Sequence, residues 1–174
     1  MGCTKEQTSQ RMVGSGVGQG PVAHGEIVAL GICLSTPPEG GKVTAKAFKT
    51  SLLQDGDLSL SRIAYTDTPT FQTKVVAPKA ASDPIQGVAI CSVSTLRDIY
   101  INVPKAQPPS RIRGACVLDK VETGDHEGHA TLEYCEEQNN IKNPNTKGMV
   151  RAAIAIALAS AFGDVHPVDA IFPP

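Results

Sequence analysis

The chain has 174 residues, enough for one domain with a core of its own, and 41% of them are hydrophobic against 19% charged. Sixteen basic and seventeen acidic residues leave a formal charge of −1, so no global field draws in nucleic acid or an anionic membrane, and neither is expected as a partner. The absence of Trp, with only three Tyr and four Phe, removes the rings on which single-stranded nucleic acid stacks and leaves the interior to Val, Ile, Leu and Ala.

Residues 1–20 are polar and then glycine-rich through Gly14-Ser15-Gly16-Val17-Gly18-Gln19-Gly20. Such a composition does not offset the entropy of ordering a backbone, and a flexible leader is expected ahead of a single domain over residues 21–174. No register of these glycines gives GxGxxG and no GK[ST] follows, which argues against a phosphate loop. The segment lacks the charged-then-apolar order of a signal peptide, and Glu6 stands where a myristoylation motif needs Ser or Thr.

Glu26 to Leu34 is apolar and β-branched and ends before Pro37-Pro38, as in a buried strand. A second extended piece is expected over Val43 to Phe48, paired with the first. Gln54 to Asp57 turns the chain into a third strand, Leu58 to Tyr65. Leu58 and Leu60 share one face of it and Ile63 and Tyr65 the other, so a bulge is expected near Ser61 and Arg62. Residues 66–86 hold three prolines, and only Thr70 to Val76 suggests a short element. Gly87 to Val93 predicts a central strand. Behind a Ser94 cap, Leu96, Ile99, Tyr100 and Val103 then recur at helical spacing, with a strand over Ile99 to Val103 competing.

Prolines 104, 108 and 109 mark a loop before a strand over Ile112 to Val121. Residues 125–129 connect it to a half-buried strand in which Ala130, Leu132 and Tyr134 alternate with polar residues. A helix follows from about Lys147 to Phe162, begun by Asn145 or Thr146 and stopped by Gly163 and Pro167. It is apolar almost all round, so a sheet must wrap it or a second copy must cover it. Its apolar stretch, Met149 to Phe162, is fourteen residues interrupted by Arg151 and Ser160, too short to cross a bilayer. Together these elements predict a single α+β domain: a mainly antiparallel sheet of five to seven strands packed against the C-terminal helix.

Five cysteines, at 3, 33, 91, 116 and 135, form no CxxC pair. An odd set of this kind suits neither a disulfide framework nor a zinc knuckle and suggests reduced thiols in the cytoplasm.

Titratable groups concentrate in Asp125-His126-Glu127-Gly128-His129, which holds two of the four histidines. On a helix, His126, His129 and Glu133 would share a face and could hold a divalent metal. Gly128 and the strand-like alternation after it leave instead a loop site of Asp125, His126 and His129, which would need a fourth ligand from His24, His166 or Asp169. The competing expectation is a solvated acidic turn carrying two surface histidines, with Arg62 a charge leaving an edge strand and Ser59 and Ser61 its solvent-facing partners. No GxSxG elbow is present.

Ser59, Ser61 and Arg62, with His24 and Glu133, resemble in residue type the set used by small ADP-ribosyltransferase-type domains. That resemblance implies a nicotinamide dinucleotide held between an Arg or His on one strand, a hydroxyl pair on another and a single Glu. The order Phe48, Leu58 to Arg62, Gly87 to Ser92 and His126 to Leu132 is similar to that of small bacterial proteins with an LS-x-x-R segment and a late HA-x-I element, and brings no activity with it.

The sequence favours a small soluble accessory protein that works by binding, either a ligand or a protein partner, or itself through the 147–162 helix. The enzyme alternative is a metal-dependent hydrolase or an ADP-ribosyltransferase-like site with His126, His129, Glu133 and Arg62 as catalytic candidates and Asp125, His126 and His129 as metal ligands. No particular cofactor follows from the residues.

Overall fold

Alternation decides the architecture: Val28, Leu30 and Ile32 enter the main core while Ala29, between them, packs with Phe71 and Val88 on the other side. A strand with two apolar faces belongs in the middle of a covered sheet. The computed structural model describes residues 20–104, 110–119 and 125–172; of the expected leader, only Gly20 falls among them.

The elements run in the order β1 Ile27–Cys33, α1 Thr50–Asp55, β2 Leu58–Arg62, α2 Thr68–Phe71, a π-turn Gln72–Val76, α3 Ala77–Lys79, β3 Ile85–Ser92 and α4 Val93–Arg97. Then follow β4 Tyr100–Val103, β5 Ser110–Arg113, β6 Ala115–Leu118, β7 His129–Tyr134, α5 Pro144–Phe162 and α6 Val168–Ile171. Five strands form one antiparallel sheet in the order β3-β1-β2-β7-β6, and β4 and β5 form a separate hairpin. The expected single α+β domain with a mainly antiparallel sheet and a C-terminal helix is what the chain forms.

One face of the sheet carries Leu58, Leu60, Ala89, Val117, Ala130, Leu132 and Tyr134 onto α5, which buries Val150, Ile154, Leu158 and Phe162 against it. Phe48 stacks on Phe162 with centroids 5.7 Å apart. The opposite face is covered beside β1 and β3 by Phe71 of α2 and by Phe172, which stack at 4.1 Å. No helix among the described residues is long and apolar enough to cross a membrane.

Several local expectations give way to capping and turns. Val43 to Phe48 is not a strand: the Val43 N–H donates to Gly163 O (2.8 Å), and Ala45–Ala47 is a 3-10 turn. Leu58 to Tyr65 is not one strand with a bulge, because β2 stops at Arg62 and a 3-10 turn, Ile63–Tyr65, redirects the chain. Residues 68–79 are helical. Asp67 caps them by accepting from Thr70 N (2.8 Å) with a proline in the first turn, a start signal in its own right. Pro78 has no N–H to offer Lys74 O, and the helix widens into the π-turn just before it.

The Ser94 cap is displaced to Ser92, whose Oγ accepts from Thr95 N at 3.1 Å. The strand over Ile99 to Val103 wins over the longer helix. Gly114 divides the strand expected over Ile112 to Val121 into β5 and β6, and its carbonyl accepts from Gln138 Nε2 (3.0 Å). Helix α5 starts earlier than expected, with Asn143 Oδ1 accepting from Asn145 N and Thr146 N at 3.0 and 3.1 Å.

Candidate functional site

Cross-strand register sorts the candidate residues before any distance is measured. Arg62 faces Val28 across the β1–β2 pair and so lies on the core side, while Ser61 faces both Ala29 and His129 on the opposite side. Ser59 lies opposite Thr131, and Glu133 opposite Cys116, also on that second side. The hydroxyl pair and Glu133 therefore share a face that Arg62 does not, and the residues that resemble an ADP-ribosyltransferase set do not converge. His24 is exposed in the turn before β1.

Arg62 is not a charge leaving an edge strand: β2 is the middle strand of the sheet and Arg62 is 1% exposed. Its Nε and Nη2 donate to Glu26 Oε2 and Oε1 (both 2.7 Å), and its Nη1 donates to Gly20 O (3.0 Å) and Asp119 Oδ1 (3.2 Å). The guanidinium also lies 4.6 Å from the Tyr65 ring centroid. Burial alone would push the Glu26 carboxyl up. The bonds from Arg62 and Ala23 N, with the charges of Arg62 and Arg97, outweigh it and hold Glu26 below its ordinary value. Asp119 goes the other way, because burial outweighs Arg62 there. The cluster ties the chain before β1 to the ends of β2 and β6, and its cation is committed to these partners.

The histidine turn is also not a solvated bend. His126 is 7% exposed and the His129 side chain 12%. The turn closes through His129 N donating to His126 O (2.9 Å) and is pinned to β2 by Arg62 N donating to Gly128 O (2.7 Å). Gly128 makes the seat possible, since a Cβ there would run into Thr66 Oγ1 and lie 2.9 Å from Tyr65 O.

Between this turn and the Ile63–Lys74 segment opens a cleft of about 630 Å³ lined by Tyr65, Thr66, Thr70, Lys74, His126 and Glu127. A smaller cavity, about 110 Å³, is bounded by Gly31, Ser59, Ser61, Val75 and His129. His126 lines both. Burial, then the neighbouring His129, depresses its pKa below 6.5 despite Asp125, so the imidazole is neutral at pH 7. Its Nε2 is buried with no hydrogen-bond partner among the described residues, and the same is true of Thr66 Oγ1.

His129 Nδ1 donates to Asp125 Oδ2 at 2.9 Å, and the two imidazole centroids are 6.0 Å apart at 61°. Among the described residues no three His, Cys, Asp or Glu side chains gather as a metal cage. The fourth ligands considered lie elsewhere: Asp169 is exposed, and His166 bridges to Val88 on β3, three strands from β7. Glu133 sits four residues along β7 from His129, roughly 13 Å at about 3.3 Å per residue.

The residues the sequence did not single out are Tyr65, Thr66, Thr70 and Lys74, the wall facing His126. The Asp67-Thr68-Pro69 helix start could have ordered that segment in advance; nothing in the sequence says which turn it meets. Cys116 and Cys135 form a disulfide between β6 and the residue after β7, with Cα atoms 5.4 Å apart. That pairing overturns the expectation that the cysteines form no disulfide.

No family model, curated protein or solved structure matches this chain.

Proposed function

We propose that the protein is an accessory protein that binds a small polar molecule in the cleft between the Ile63–Lys74 segment and the 125–128 turn, with neutral His126 and the Thr66 hydroxyl as its recognition groups. The observation that carries this reading is the pair of orphaned buried atoms, His126 Nε2 and Thr66 Oγ1, both on residues lining one polar cleft. A buried polar atom left unpaired costs about 1–3 kcal/mol, and a ligand that completes both recovers that cost on binding. A cleft of about 630 Å³ also falls within the size range of small-molecule sites.

Thermal-shift screening against a panel of small polar metabolites at neutral pH tests the idea. A ligand that raises Tm for the native chain should lose its effect in His126→Leu and in Thr66→Val, with both variants folded by circular dichroism. If every stabilising compound acts equally on the variants, the cleft is not the site.

A catalytic reading has one observation in its favour, the Asp125–His129 bond, which orients an imidazole whose strand-to-strand neighbour is Ser61. It requires Ser61 to react with a fluorophosphonate probe and the labelling to vanish in His129→Gln; an unlabelled Ser61 removes it. As for compartment, the disulfide favours oxidising surroundings over the reducing cytoplasm expected from the cysteine count.

A further inference from the structure

Helix α5 turns its buried row to the sheet and leaves a second row bare: Met149 is 60% exposed and Ile156, two turns on, 64%. Beside it the 45–50 segment forms the other bank of an open trough of about 680 Å³. Ala45, Phe48, Ala152, Ala155 and Ile156 supply its apolar lining, and Lys46, Lys49 and Arg151 its cations. Among the described residues no carboxylate lines it. Lys46 Nζ reaches Glu39 Oε1 at 3.2 Å, but both side chains are about 70% exposed, so an incoming carboxylate can replace that partner at little loss.

We propose that this trough docks an acidic amphipathic helix of a protein partner, its apolar stripe laid along Ala152 and Ile156 and its flanking carboxylates against Lys46, Lys49 and Arg151. The shape fits a rod. Gly148, Ala152 and Ala155 keep the floor low enough for close helix approach, and α5 is roughly 28 Å long at about 1.5 Å per residue. An exposed apolar patch rimmed by charge of one sign marks a docking surface for a partner of the other sign. A second copy of the chain does not meet that requirement, because a two-fold contact would set the three cations against their own images. A bilayer, being a plane, does not enter a trough between two elements.

The test uses the full chain with a labelled helical peptide of about 18 residues, Leu along one face and Glu on both flanks, beside a twin with Lys in place of Glu. Fluorescence anisotropy should show binding of the Glu peptide only, weakening by about tenfold as salt rises from about 50 to about 300 mM. The double variant Lys46→Glu/Lys49→Glu should reverse the preference while its unfolding midpoint stays in place, and Ile156→Glu should weaken capture of the Glu peptide. Equal binding of the two peptides, binding of neither, or preference for phosphatidylglycerol vesicles over the Glu peptide would overturn the proposal. So would a dimer in sedimentation that Ile156→Glu dissociates.

Discussion

Arg62 and Glu26 meet at two points, Nε to Oε2 and Nη2 to Oε1, each at 2.7 Å, with the arginine buried in the middle of the sheet. Removing one member of such a pair strands the other charge where water hydrates it poorly. Arg62→Ala is expected to cost about 3–5 kcal/mol in urea unfolding, since it also strips the cation from Asp119. In a double-mutant cycle, Arg62→Met with Glu26→Gln should cost less than the two single changes summed. Strict additivity would show that the pair is not coupled.

The same pair sets an acid limit on stability. Glu26 is held below its ordinary value of 4.5 in the folded chain. Its contribution is therefore present above that value, where the unfolded chain is also ionised, and is lost as pH falls through the depressed folded value. Glu26→Gln should flatten the acid limb of a stability-versus-pH curve. An unchanged limb would place the acid sensitivity elsewhere.

His126 titrates against burial first and against His129 second, and both oppose protonation. Its folded pKa lies below 6.5, so the unfolded chain takes up the proton first; stability is full above 6.5 and falls as pH drops through the depressed value. A proton NMR titration of its ring should give a midpoint under 6.5. His129→Gln should raise that midpoint without restoring it, because burial is the larger cause. Full restoration would assign the depression to the neighbouring imidazole instead.

What the chain discloses unaided is whatever a local pattern dictates. The alternation of Ala130, Leu132 and Tyr134 announces β7, the apolar runs announce β1 and β3, and the apolar run stopped by Gly163 announces α5, although Asn143, and not the expected Asn145 or Thr146, caps its start. The histidine turn is different: its burial depends on Tyr65 and Thr66, remote in sequence, and on a glycine whose missing Cβ is felt only when they arrive. The disulfide likewise follows from the β6–β7 register, in which Cys116 lies opposite Glu133 and hence diagonal to Cys135. Arg62 reads as a surface charge in the sequence because its carboxylate partners are remote, Glu26 lying 36 residues before it and Asp119 57 residues after it.

Gly128 is the hinge between fold and cleft. Gly128→Ala would drive a methyl into Thr66 Oγ1 and to 2.9 Å from Tyr65 O, an atom of the backbone that cannot swing aside. Overpacking of this kind costs about 1–3 kcal/mol. The 125–128 turn should lift from the Ile63–Tyr65 segment, and the His126 ring pKa should rise toward 6.5 as its burial is relieved. A variant with native stability and an unmoved His126 titration would show that the turn is not seated on Thr66.

The disulfide closes a segment spanning 19 positions, and both of its residues are fully buried. A loop of that size is worth about 3 kcal/mol in the chain-entropy account, so Cys116→Ala/Cys135→Ala should lower unfolding stability by roughly that amount. Alkylation at neutral pH should separate the thiols among the described residues. Cys33, partly exposed with its pKa raised chiefly by burial, should react ahead of Cys91, which is buried and pushed up to about 11. Cys116 and Cys135 should stay unmodified by mass spectrometry until a reductant and a denaturant are added together, because the sulfurs must first be brought to the surface. Modification of either in the native, unreduced chain would mean that the bond does not form, and with it would go the tie between the edge strand β6 and the end of β7.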